Sequence, residues 1–150
     1  MEHSQTNDNP QVHIVTGGYA GVGLELTKIL YQKNATIYAA GRSEGKAKKA
    51  IEAMKIEFSN STGKIEFLQL DLDDLSTIKR SAEEFLSKES RLDVLVNNAG
   101  VMVPPAGSKT KQVSILRLWE GRGGACFKRS YPISDIDILR AMISRWASIA

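Results

Sequence analysis

Thr16-Gly17-Gly18-Tyr19-Ala20-Gly21-Val22-Gly23 sits between an apolar run, Val12-His13-Ile14-Val15, and a helical pattern that starts near Val22. Three glycines at such a strand-to-helix turn make a site for a pyrophosphate. Gly17 permits the tight turn. Gly21 lets backbone approach an anion with no Cβ in the way, and Gly23 lets the helix lie close on the strand. The helix N-terminus adds unpaired N–H groups and the positive end of a dipole. Plain Gly-rich turns share this pattern and bind nothing, so the residues that follow decide the reading.

Working outward, the first two thirds of the chain alternate strand and helix. Gln11–Thr16 reads as a first strand and 22–33 as a helix, with Leu24, Leu26, Ile29 and Leu30 on its apolar side. Ala35–Ala40 reads as a second strand ended by Gly41, and Ser43 as the N-cap of a helix reaching Phe58. Ala47, Ile51, Met54 and Phe58 recur along it at helical spacing. Ile65–Leu70 is a third strand. Leu75, Ile78, Ala82 and Phe85 mark a third helix, and Leu92–Val96 a fourth strand. Such alternation predicts an α/β fold, a Rossmann-type parallel sheet of strand order 3-2-1-4 with flanking helices. The fourth strand then starts on the far side of the first and opens the crevice where dinucleotides lie.

After about Lys111 the pattern degrades. Val113–Trp119 reads equally as a strand or a short helix, Glu120–Gly124 as flexible chain, and 134–149 as one helix. No strand pattern continues the sheet, so an incomplete doubly wound fold with an irregular C-terminal tail is expected. The division is a disordered arm at 1–10, a nucleotide-binding half at 11–111 and an atypical tail at 112–150. Strand four would then be an unprotected edge. Trp119, Ile136, Leu139 and Trp146 are candidates to cover part of it; otherwise it invites self-association.

Bulk properties exclude several functions. The 150 residues fit one domain with a real core, and 42% hydrophobic with 25% charged residues is ordinary for a soluble globular protein. A net charge of +3 gives no argument for a nucleic-acid partner. Residues 107–150 carry +5 and the remainder −2, but the basic side chains are scattered and read as a solvated surface. The single cysteine, Cys126, excludes an internal disulfide and fits a reducing compartment. The polar first ten residues do not read as a signal peptide, and no apolar run would span a bilayer, so a cytoplasmic protein is expected. His3, His13 and Cys126 lie too far apart to suggest a metal site. His13, inside strand one, is expected to be packed and hydrogen-bonded.

A second set of signals closes the later strands. Dinucleotide folds that take NAD usually present an acid after strand two. An arginine there suits the extra phosphate of NADP, and Arg42 falls in that place, with Ser43 and Lys46 as lesser helpers. Asp71, after strand three, faces the crevice as an acceptor for an adenine amino group. Its other role would be a helix cap, which Asp73 or Asp74 could fill instead. Asn97-Asn98-Ala99-Gly100 closes strand four with small residues and amides that can bridge strands and ribose.

Thr-Gly-x-x-x-Gly-x-Gly at 16–23, the Asp71-Leu72 pair and Asn97-Asn98-Ala99-Gly100 occur in the order and spacing of the short-chain dehydrogenase/reductase family. The chain resembles that family over about 11–111, and its Gly41-Arg42-Ser43 turn resembles the NADP-preferring, retinol-dehydrogenase-like and fungal branches. The resemblance implies that Gly17, Tyr19, Gly21, Val22 and Gly23 line the pyrophosphate. Arg42 would hold the ribose phosphate, Asp71 and Leu72 the adenine, and Asn98, Ala99 and Gly100 the ribose near the nicotinamide. It implies NADP(H) in preference to NAD(H), and hydride transfer between NADP(H) and a small alcohol or carbonyl.

The family's catalytic residues, a tyrosine with a lysine four positions later and a serine, are not found. Tyr19, Tyr31, Tyr38 and Tyr131 are followed four residues on by Gly23, Ala35, Arg42 and Asp135. A phenol with an ordinary pKa near 10 is a poor base without such a lysine. The chain therefore looks like a family member truncated after its cofactor half, from a frameshift, a retained intron or alternative splicing, and inactive alone. A non-catalytic NADP-binding module and a non-functional fragment remain the alternatives.

Overall fold

A computed structural model of the chain describes residues 10–72, 74 and 76–99, together with the backbone of 125–128. Among them the order is β1 (Val12–Thr16), α1 (Gly21–Gln32), β2 (Thr36–Gly41), α2 (Glu44–Glu57), β3 (Lys64–Gln69), α3 (Ser76–Lys88), β4 (Val94–Asn97) and β5 (Ala125–Lys128). They form one sheet of order β3-β2-β1-β4-β5. The first four strands run parallel; His13 stands opposite Ile37 on one side and Val94 on the other. All four therefore end at the same edge of the sheet, and the crevice expected from order 3-2-1-4 lies there.

The central strands carry near-continuous apolar runs because both their faces are covered. Every residue of β1 is buried. Side chains alternate between two cores. Val12, Ile14, Tyr38, Ala40 and Leu68 join Ile78, Ala82 and Phe85 of α3. Val15, Ile37 and Ile65 point the other way and join Tyr31 of α1 with Ile51 and Met54 of α2. Tyr38 meets Phe85 edge to face at 5.0 Å, and its hydroxyl donates to Glu89 at 2.9 Å. Full burial of a side chain such as Phe85 contributes roughly 2–3 kcal/mol.

Three expectations are corrected. First, β5 pairs antiparallel with β4, Leu95 opposite Phe127, so β4 is not the open edge and the tail contains a strand. The segment Ala125-Cys126-Phe127-Lys128 is too short and too near glycines to announce itself. Second, Ile29 is 52% exposed; the buried stripe of α1 is Gly23, Thr27 and Tyr31. Leu24, Leu26 and Leu30 pack only at the margin of the core. A glycine and a threonine lie innermost because the helix start approaches the sheet too closely for larger side chains. Third, His13 is buried, but its Nδ1 has no hydrogen-bond partner among the described residues. Burial holds its pKa below the ordinary value, against the pull of the Asp93 carboxylate. The arm at 1–9, the expected helix at 134–149, and Trp119, Ile136, Leu139 and Trp146 lie outside the described residues.

Candidate functional site

The turn from β1 to α1 is built on two left-handed glycines, Gly17 at φ 66° and Gly21 at φ 52°. Gly17 N–H donates to the Ala40 carbonyl at 2.7 Å, which ties the turn to the end of β2. A Cβ on Gly21 would meet nothing within 4 Å, so that side of the loop is open. Ala20, the N-cap of α1, is extended and has no side-chain cap. The first-turn N–H groups of Gly21, Val22 and Gly23 therefore remain for an outside acceptor. No acid lies in that turn, and Val22 is 80% exposed at its mouth. A donor-rich, uncapped and acid-free helix start beside a bare glycine fits a diphosphate.

The end of β4 is clasped to the same turn. Asn98 Nδ2 donates to the Thr16 carbonyl at 3.0 Å. Thr16 Oγ1 accepts from Ala99 N–H at 2.9 Å and donates to the Val96 carbonyl at 3.2 Å. A Cβ on Gly23 would be driven into Asn98 Nδ2 and the Gly17 carbonyl. Gly18 is as confined: a Cβ there would come within 2.9 Å of the Val15 carbonyl and 3.0 Å of Thr27 Oγ1. The turn thus brings Gly17, Gly21, Val22, Gly23, Asn98 and Ala99 together. Gly100 lies outside the described residues.

Tyr19 goes elsewhere. Its ring lies over Gly41, where a Cβ would come within 2.8 Å of Cζ. It meets Phe67 edge-on at 6.3 Å, and its hydroxyl accepts from Ser43 N–H at 3.1 Å. The side chain thus reaches the end of β2, beside Arg42, rather than lying along the loop that carries it. Arg42 is exposed, and its carbonyl accepts from Gln69 Nε2 at 3.3 Å. Ser43 is the N-cap residue of α2 but makes no side-chain cap.

Asp71 and Leu72 follow β3 at the same edge, half-buried, with Leu72 against the α3 core. The carboxylate that serves the start of α3 is that of Asp74, which accepts from Ser76 N–H at 3.1 Å. Asp71 meets that turn through its carbonyl, which accepts from Thr77 Oγ1 at 3.1 Å.

Sequence reading gave Thr16 and Gly41 only as members of their motifs and missed Gly18 and Thr27 as site-shaping residues. Thr27 Oγ1 donates to the Gly23 carbonyl at 2.8 Å inside α1. Its spacing of four from Gly23 was the available signal. Among the described residues no cluster of His, Cys, Asp or Glu suits a metal, and no helix is long and apolar enough to cross a membrane.

Comparison with known proteins adds to this geometry. A family model for short chain dehydrogenases matches residues 11–120. A short-chain dehydrogenase/reductase of Emericella nidulans is 54% identical over 108 residues, 72% of this chain and 35% of that one. Among solved structures, the menthone neomenthol reductase of Mentha piperita is similar with a TM-score of 0.58 and 32% identity, over 63% of this chain and 33% of that chain. A metagenomic short-chain oxidoreductase in complex with NADP is similar with a TM-score of 0.53 and 33% identity, over 61% and 39%. The chain spans about a third of the length of the curated relatives it matches.

Proposed function

The chain belongs to the short-chain dehydrogenase family, and on that premise we propose that residues 11–111 hold NADP(H), in preference to NAD(H). The observation that carries this reading is the uncapped start of α1 behind two left-handed glycines. Arg42 at the end of β2 supports the preference, because a guanidinium suits a ribose phosphate and an acid would suit free hydroxyls. The metagenomic relative in complex with NADP supports it too. When bound, the nicotinamide would exchange hydride with a small alcohol or carbonyl.

In this reading the residues divide the cofactor among them. Gly17, Gly21, Val22 and Gly23 face the diphosphate, Arg42 the ribose phosphate, Asp71 and Leu72 the adenine, and Asn98, Ala99 and Gly100 the ribose near the nicotinamide. The 150 residues contain no Tyr-x-x-x-Lys pair. In this reading the chain is a family oxidoreductase by descent that holds the nucleotide and does not turn substrate over by itself, with a non-catalytic binding module as the alternative. The single cysteine suits a reducing cytoplasmic setting.

NADPH fluorescence, titrated with the chain, tests the proposal. Saturable binding is expected, and Arg42→Ala should weaken NADPH about tenfold or more while sparing NADH, the loss typical of a charge-assisted hydrogen bond. No binding at millimolar nucleotide would leave only a non-functional fragment. Steady turnover of carbonyl substrates by the purified chain would overturn the inactive reading.

A further inference from the structure

We propose that the Tyr19 hydroxyl donates to the 2′-substituent of the adenosine ribose and so makes Tyr19 a specificity-determining residue. The assignment rests on the cofactor reading above and adds to it a residue that the family resemblance places at the pyrophosphate.

The ring is held from several sides. Gly41 leaves room for it, Phe67 meets it edge-on at 6.3 Å, and Ser43 N–H fixes its oxygen at 3.1 Å. A phenol has one proton to donate and lone pairs to accept with. The bond from Ser43 uses one acceptor position. The hydroxyl proton donates to nothing among the described residues, and the incoming N–H polarises it as a donor. An acceptor for it would lie beside Ser43 and Arg42, at the end of β2, where the cofactor reading puts the adenosine ribose. A 2′-phosphate is an acceptor bearing negative charge, whereas a 2′-hydroxyl is a neutral, weaker one, so the same donor favours the phosphate. Arg42 supplies the charge and Tyr19 the direction.

The alternative is a tether: the hydroxyl only steadies the Ser43 amide. Tyr19→Phe keeps the ring on Gly41 and removes both the proton and the oxygen that Ser43 N–H meets, so the two readings are separated by which nucleotide loses affinity. Calorimetric titration of the full 150-residue chain would compare 2′,5′-ADP with 5′-AMP, which differ only in the 2′-phosphate. Tyr19→Phe is expected to weaken 2′,5′-ADP about tenfold and to change 5′-AMP less than about twofold. Equal losses for both, no loss for either, or tighter binding of 2′,5′-ADP would overturn the proposal. If Tyr19→Phe does not fold, the Cζ resonance of Tyr19 in carbon-13-labelled wild-type chain reads the same contact. It should move with 2′,5′-ADP and stay with 5′-AMP; a resonance indifferent to both overturns the assignment. Wild-type chain that binds neither nucleotide overturns the cofactor reading itself, and this assignment with it. Wild-type chain that binds 2′,5′-ADP while Tyr19→Phe matches it overturns Tyr19 alone.

Discussion

Gly21 and Gly23 stand two residues apart and meet an added methyl in different ways. At Gly21 the obstacle is the backbone: φ is 52°, and the Cβ would project into open space. Gly21→Ala should therefore cost only about 1–2 kcal/mol of stability. It should still weaken NADPH at least tenfold, because the methyl takes up open space that the bare glycine leaves to an anion. At Gly23 the obstacle is packing, with Asn98 Nδ2 and the Gly17 carbonyl in the way. Gly23→Ala should cost on the order of 1–3 kcal/mol or more, since part of the obstacle is backbone, and binding should fail with it. Thermal melts beside nucleotide titrations separate the cases. A Gly21→Ala chain that binds NADPH like wild type would remove the diphosphate from this loop.

Among the elements, β1 carries the most. It pairs on both sides, ends in the turn and buries all five of its residues, His13 included. Burial lowers the His13 pKa below its ordinary 6.5. The unfolded chain therefore takes up the proton first. Stability from this residue is whole above about pH 6.5 and falls as the pH drops through that value towards the folded-state pKa. Melting temperature should decline from pH 7 to pH 5, and His13→Val should flatten the decline. An unchanged slope in His13→Val would show that other groups set it. The β3 side is guarded differently. Lys64 and Lys88 each meet Glu66, at 3.0 and 3.2 Å, and hold its carboxyl below the usual range despite some burial. Exposed pairs of this kind stabilise little. Their charge discourages pairing along the outer edge of β3.

At the scale of the whole molecule, β5 determines whether β4 is an interior strand. Amides point alternately to either side of a strand, so one of Cys126 and Phe127 directs its N–H at β4. Proline at both positions should remove a ladder bond and detach β5. Hydrogen exchange should then speed up at the β4 amides that face β5, and the chain should self-associate through the exposed edge. Sedimentation and exchange measurements read both effects. Unchanged protection of Leu95 and Val96 would mean that β5 contributes nothing to the sheet.

The sequence by itself determined the parallel order, the turn at 16–23 and the placement of Arg42, Asp71 and Asn98 at one edge. These follow from local patterns: buried parallel strands read as apolar runs, and left-handed turns demand glycine. Only the tertiary structure decided where Tyr19 points, that Thr16 and Asn98 clasp β4 to the turn, and that Ala125–Lys128 joins the sheet. Each of these depends on which distant backbone lies nearby. Gly41 admits the Tyr19 ring from 22 residues away in the chain, and four residues become a strand because the open edge of β4 offers them partners. Spacing along a chain carries no record of such meetings, since they are made by the fold that brings the segments together.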